Sequence, residues 1–112
     1  MINRLNHIVL LCIFLMLNSC VINNPKVEDC QITNIKVTRI TIGSSNDIVF
    51  HDDDTDFYYI NRGLERGLNL DSLNAKVLNK TVTLHLPRLL LGTSEHIAQI
   101  AIGNDIIFTE FK

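Results

Sequence analysis

From residue 30 onward the apolar positions alternate in short runs more often than they recur every three or four residues, and that pattern predicts strands. Over residues 32–42 the alternation changes phase: Ile35 and Val37 share one face, Ile40 and Ile42 the other. A slip near Thr38 and Arg39 predicts a β-bulge, or a strand long enough to serve two faces. Val37 and Ile40 are then both buried despite opposite parity. Gly43-Ser44-Ser45-Asn46 reads as a turn. Residues 47–51 form a second strand with Ile48 and Phe50 on one face. The acidic run Asp52-Asp53-Asp54-Thr55-Asp56 turns the chain, and Phe57-Tyr58-Tyr59-Ile60 is a third strand, aromatic and β-prone.

The period then changes. Leu70, Leu73, Val77 and Leu78 fall at i, i+3, i+7 and i+8, one stripe of a helix over residues 70–78. Asn69 is placed to cap its first turn, and Asp71 suits the positive end of the helix dipole. Leu68 and Leu73 occupy the two positions of a hydrophobic staple, and Asn79 can take the left-handed conformation that ends the helix. Alternation returns at Thr81: Val82, Leu84 and Leu86 point one way, Thr83 and His85 the other, until Pro87 stops the strand or marks an edge. Residues 97–102 and 106–111 form a last pair of strands, joined at Gly103-Asn104 by a type II′ turn. A short helix at the start of residues 94–102 is the other reading of that segment.

The order is strand, strand, strand, helix, strand, hairpin. The bent first strand and the single helix between strands three and four resemble the topology of an oligonucleotide/oligosaccharide-binding (OB) barrel over residues 31–112. The fold class is therefore mainly β: a small OB-like barrel of five to six strands. An open α+β roll is the alternative. The stretch Tyr58-Tyr59-Ile60-Asn61-Arg62-Gly63-Leu64-Glu65 is also similar to uncharacterised small secreted bacterial proteins, a likeness that implies no activity.

Ahead of this domain the pattern is different in kind. Residues 1–7 are polar with one cation, Arg4, and residues 8–17 are an unbroken apolar run. Ten helical residues rise about 15 Å, roughly half of a bilayer core. Such a run fits the apolar region of a signal peptide and is too short to span. Leu17-Asn18-Ser19-Cys20 follows at once and resembles the lipobox of bacterial lipoproteins: an aliphatic residue, two small or tolerated residues, then cysteine. The resemblance covers residues 1–20. It implies cleavage before Cys20, a diacylglycerol on the Cys20 thiol, and attachment to a membrane on its extracytoplasmic side, in the cell envelope. The chain then divides into a signal peptide at 1–19, a lipidated cysteine and tether at 20–29, and a single β-rich domain at 30–112. Residues 21–29 are polar, contain Pro25 and show no period, as a tether requires.

Composition changes this picture little. A chain of 112 residues holds one domain. Its 46% hydrophobic and 20% charged residues suit a folded chain. A formal net charge of −2 gives no electrostatic pull toward nucleic acid. Cys12 leaves with the signal and Cys20 carries the lipid, so Cys30 has no intrachain partner. It is either a small apolar residue tucked into a strand or a reactive thiol.

Candidate chemistry is sparse. Asp52, Asp54 and Asp56 match the first three ligand positions of a calcium loop. Phe57 stands where the turn glycine belongs and Gly63 where the bidentate glutamate belongs, so the run reads as a solvated turn. His51, His85 and His96 share no ligand spacing, and His85 lies on the polar face of its strand. Ser44, Ser45, Ser72 and Ser94 sit in turns or at a helix, without a nucleophile elbow. These features predict no metal, no cofactor and no catalytic residue. The loop from Asn61 to Gly67 carries Arg62 and Arg66 beside Tyr58 and Tyr59. Arginine forks take carboxylates and phosphates, and tyrosines stack on rings or sugars, so these four are the candidate ligand contacts. In the plainer reading the two arginines balance the acidic turn. The function these features predict is a lipid-anchored, non-enzymatic binding module whose partner is an envelope protein or a glycan. The alternatives are a small envelope hydrolase or thiol redox protein using Cys30, and an inhibitor of a secreted hydrolase.

Overall fold

A computed structural model describes residues 25–112; the expected signal peptide, Cys20 and the first part of the expected tether lie outside the described residues. The domain is mainly β, with two antiparallel sheets and one helix. The strands are β1 (Cys30–Lys36), β2 (Arg39–Ile42), β3 (Ile48–His51), β4 (Phe57–Ile60), β5 (Thr81–Leu89), β6 (Gly92–Thr93), β7 (Gln99–Ile102) and β8 (Asp105–Thr109). The helix, α1 (Leu70–Val77), lies between β4 and β5. One sheet has the order β1-β5-β7-β8 with β6 added to β5; the other has the order β2-β3-β4. A 3₁₀ turn, Val27–Asp29, leads directly into β1.

The phase slip marks the point where the chain leaves one sheet for the other. Up to Lys36 the backbone pairs with β5, and from Arg39 it pairs with β3. Between them Val37 donates to Lys80 O at 3.0 Å and accepts from Asn79 N at 2.7 Å. Thr38 N donates to His51 O at 2.8 Å. The Thr38 hydroxyl also reaches the His51 and Asp52 carbonyls, each at 3.2 Å. No ladder covers this corner, yet its polar backbone groups have partners, as buried backbone requires. Val37 is 0% and Ile40 8% exposed, so both sets of residues reach one core despite opposite parity. Ile42, grouped with Ile40 by parity, is exposed at the far end of β2.

That core joins both sheets. Ile35, Val82, Leu84, Leu86 and Ile100 come from the first, Ile40, Ile48, Phe50 and Ile60 from the second, with Ile97 between them. Leu73 and Val77 of α1 complete it, and Leu68 and Leu70 pack at its margin. The Asn69 side chain accepts from Ser72 N at 3.0 Å, the expected cap. Asn79 takes a φ of 63° just beyond the helix, which ends at Val77 rather than Leu78.

The two sheets do not merge into one continuous closed ladder. They meet at an isolated parallel bridge between Tyr59 and His96. Tyr59 N donates to Glu95 O at 3.0 Å and Ile97 N to Tyr59 O at 2.8 Å. The segment leading into β7, residues 94–98, is irregular with two bends and is not helical. The terminal hairpin turns at Gly103-Asn104 with Gly103 at a φ of 55°, and β8 carries one extra residue, Ile107, opposite Ile100 and Ala101.

Pro87 does not end its strand. β5 continues to Leu89, with Pro87 buried opposite Cys30. Pairing with β7 stops at His85, and pairing with β6 starts at Arg88. The Pro87 carbonyl accepts from Ser94 N at 2.9 Å on that side. A residue's N–H and C=O share one side of a strand, so the missing donor costs β5 one bond opposite Ser94, at the point where the ladder with β7 has ended and the ladder with β6 begins.

Candidate functional site

Of the four contacts expected from the sequence, Tyr59 and Arg66 enter one cluster. Successive residues of a strand face opposite ways. Tyr58, opposite Phe50, turns toward the core, and Tyr59 turns outward. The Tyr59 ring meets the His96 ring edge-on, with centroids 5.7 Å apart at 82°. His96 Nε2 lies 2.8 Å from Glu110 Oε2, and Arg66 Nη1 lies 3.7 Å from Glu110 Oε1. The Arg66 guanidinium sits 5.7 Å from the Phe108 ring centroid, within cation–π range. Glu110 is the most enclosed member, its side chain 10% exposed, and its Oε1 is buried with no hydrogen bond.

The local sequence explains how Arg66 gets there. Residues Gly63–Arg66 form a 3₁₀ turn entered by Arg62 at a φ of 52° and left by Gly67 at 83°. Arg62 N donates to Asp47 Oδ1 at 2.8 Å, which ties the turn to the start of β3. Gly63 is buried against Ile48, where a Cβ would stand 2.7 Å from Ile48 Cδ1, so only glycine lets the turn lie this close. Arg62 itself points to solvent, with Glu65 Oε2 at 4.0 Å. The two arginines therefore do not balance the acidic turn; their carboxylate neighbours are Glu65 and Glu110.

Tyr58 belongs to a separate groove of about 220 Å³, lined by Gln31, Thr33, Leu86, Thr93 and Glu95 among others. Burial pushes the phenol pKa values of both tyrosines up. The carboxylates of Asp56, Asp52 and Glu95 add to this for Tyr58, and those of Asp47, Glu95 and Glu110 for Tyr59. Both stay neutral donors at physiological pH.

The remaining candidates are occupied by structural roles. Asp52 Oδ1 accepts from the backbone N–H groups of Asp54 and Asp56 at 2.9 and 3.1 Å, and Thr55 takes a φ of 71°, the build of a tight acidic turn. No three His, Cys, Asp or Glu side chains converge among the described residues. His51 lies 2.9 Å from Thr41 Oγ1; burial, with the Arg39 charge second, lowers its pKa. His85 lies on the face away from Val82, Leu84 and Leu86, as expected, but is half-buried there, edge-on to Phe111 at 5.6 Å, with Nδ1 buried and unpartnered. Ser94 Oγ accepts from His96 N at 2.9 Å and is not aimed at the ring. Cys30 is a buried free thiol whose Sγ–H donates to Lys26 O at 3.4 Å. Burial raises its pKa, the Asp29 carboxylate adds to this and Arg88 opposes it, so little thiolate forms at neutral pH.

Sequence reasoning missed His96 and Glu110 as members of a site. They lie 14 positions apart on different elements and meet through the parallel bridge and the terminal strand, pairings that leave no local period. Comparison with known proteins finds no match to a family model, a curated protein or a solved structure.

Proposed function

We propose that the chain is a lipid-anchored, non-enzymatic binding module of the cell envelope, held on the extracytoplasmic side by a lipid on Cys20 and built on an OB-like barrel. The observation that carries the anchor is the short apolar run ending in Leu17-Asn18-Ser19-Cys20. For the barrel, the support is the way the pairings connect. Pairings run from β2 through β3 and β4 to the Tyr59–His96 bridge, and from β7 through β5 to β1; the chain itself, at residues 96–99 and at the Val37–Thr38 corner, links these two runs.

Binding rather than turnover is supported by how the reactive groups are used. The Cys30 thiol is buried and held protonated, and His96 and Arg66 are both engaged with the enclosed Glu110 carboxylate, His96 through Oε2 and Arg66 as an ion pair at 3.7 Å from Oε1. What this leaves for a partner is the exposed Arg62 fork and the rims of Tyr59 and Arg66, groups that suit a carboxylate-bearing protein surface or a sugar ring. Cys20→Ser is expected to abolish incorporation of a fatty-acid probe and to release the protein from membranes. A variant that stays membrane-bound beside a wild type that takes no label defeats the anchor. For the partner, wild type and Arg62→Ala are compared for retention on purified envelope protein and envelope glycan separately. Equal retention of both forms removes this surface from consideration.

A further inference from the structure

The β5–β6 hairpin turns on Leu90 and Leu91. Leu89 pairs with Gly92 and Arg88 with Thr93, which leaves the two leucines as the connecting residues. They are 92% and 97% exposed, and Leu89 is 47% exposed. Tight hairpin turns ordinarily take Gly, Asn or Asp, because their backbone suits those residues. A leucine pair at that position serves neither the turn nor the core. Three consecutive bare leucines on a protruding tip form an apolar patch that calls for a surface to cover it.

The position of the tip in the fold says which surface. Cys30, the first residue of β1, pairs with Pro87, three residues before Leu90. At about 3.3 Å per residue the tip stands roughly 10 Å beyond the point where β1 begins. Thr93 Oγ1 and Gln31 Oε1, 2.7 Å apart, fasten the hairpin to that same start. The tether thus enters the domain at the end from which the leucines project. Cys20 and Cys30 are ten residues apart, a reach of at most about 36 Å when fully extended. A domain hung from Cys20 by this tether has its leucine tip on the membrane side.

We infer that Leu89, Leu90 and Leu91 form a second, non-covalent membrane contact, entering the acyl region of the bilayer that holds the lipid on Cys20. Arg88, exposed at the base of the hairpin, then lies at the level of the headgroup phosphates. Glu28 and Asp29 are exposed in the 3₁₀ turn before β1, so this end is not polybasic, and the contact is apolar and independent of anionic lipid. The inference rests on the lipoprotein reading, and it adds to it: lipid chains fix the distance to the membrane, while the tip fixes the orientation of the domain above it.

The chain contains no tryptophan, so Leu90→Trp carries a single indole reporter. Full-length Leu90→Trp is reconstituted in phosphatidylcholine vesicles with and without acyl-brominated lipid. The expected result is a blue-shifted emission quenched at least threefold by bromine, with Leu91→Trp behaving alike. Ile106→Trp, beside the Gly103 turn at the other end of the sheet, stays unquenched. Adding Leu91→Asp to Leu90→Trp is expected to remove most of the quenching. If the indoles of Leu90→Trp and Leu91→Trp both stay unquenched while Cys20 takes a fatty-acid label, the tip contact is overturned and the lipoprotein reading stands. A protein that takes no label and does not join the vesicles overturns both. A blue shift that grows with protein concentration, without bromine quenching, means that a second copy covers the tip, and it too overturns the inference.

Discussion

At the end of β5 that follows the helix, Leu73 and Val77 are 2% and 0% exposed; at the other end of the same strand, Leu90 and Leu91 are 92% and 97% exposed. Nine residues of one strand separate two opposite treatments of the same kind of side chain. The difference lies in what is available to cover them. Beside Thr81 the chain has a capped helix, the β1–β2 corner and the end of β3 converging from distant parts of the sequence. Beyond Leu89 it has only a two-residue turn, and the ladder with β7 has already ended at His85. Leucine burial in this domain is decided by long-range assembly, and where assembly stops, the apolar surface is left for something outside the chain.

Substitutions along this gradient test it, beginning at the covered end. Leu73→Ala is expected to cost about 2–5 kcal/mol, because it leaves a cavity in the core at a side chain that is 2% exposed. In a domain with a total stability on the order of 5–15 kcal/mol, that is a large fall in Tm. A thermal melt that does not move means that the helix stripe is not part of the core. Gly63→Ala drives a methyl group into Ile48 and is expected to cost about 1–3 kcal/mol; urea titration reads it, and a loss below that range means the 3₁₀ turn gives way freely. Asn69→Ala removes the cap from Ser72 N and is expected to cost about 1 kcal/mol, while Asn69→Asp keeps it. At the bare end the expectation reverses: Leu90→Asp with Leu91→Asp changes stability by no more than about 0.5 kcal/mol each. A destabilisation like that of Leu73→Ala would show that the tip is covered by this chain after all, and the contrast between the two ends would collapse.

Much of the helix end was legible in the sequence, and little of the tip. The period change at Leu70, the cap at Asn69 and the left-handed Asn79 are local rules, and each is met; Leu68 packs against the same core that buries Leu73. The corner after Lys36 was visible as a change of parity, because a chain that serves two sheets must reverse which residues face the core. Which strand each half joins was not visible: Ile35 meets Val82 and Ile40 meets Phe50 through pairings that no periodicity encodes. Pro87 reads locally as a terminator, yet it sits where β5 passes from one partner strand to the next, and the strand runs on to Leu89. The candidate site was half legible for the same reason. Tyr59 and Arg66 stood out by residue type, whereas His96 and Glu110 are brought to them by a parallel bridge and a terminal strand.

The central place of β5 sets an order of events. It carries β1 on one side and β7 and β6 on the other, so the first sheet has no middle until residues 81–89 are present. Ile35 waits for Val82, and Cys30 for Pro87, across more than half of the domain. Pairings this distant in sequence lose loop-closure entropy before any contact offsets it, which makes them slow. The three strands β2, β3 and β4 are joined by short turns and can pair as soon as they emerge, whereas β1 has no strand partner on either side until β5 is present. While it waits, β1 is the segment of this protein most open to pairing with another chain.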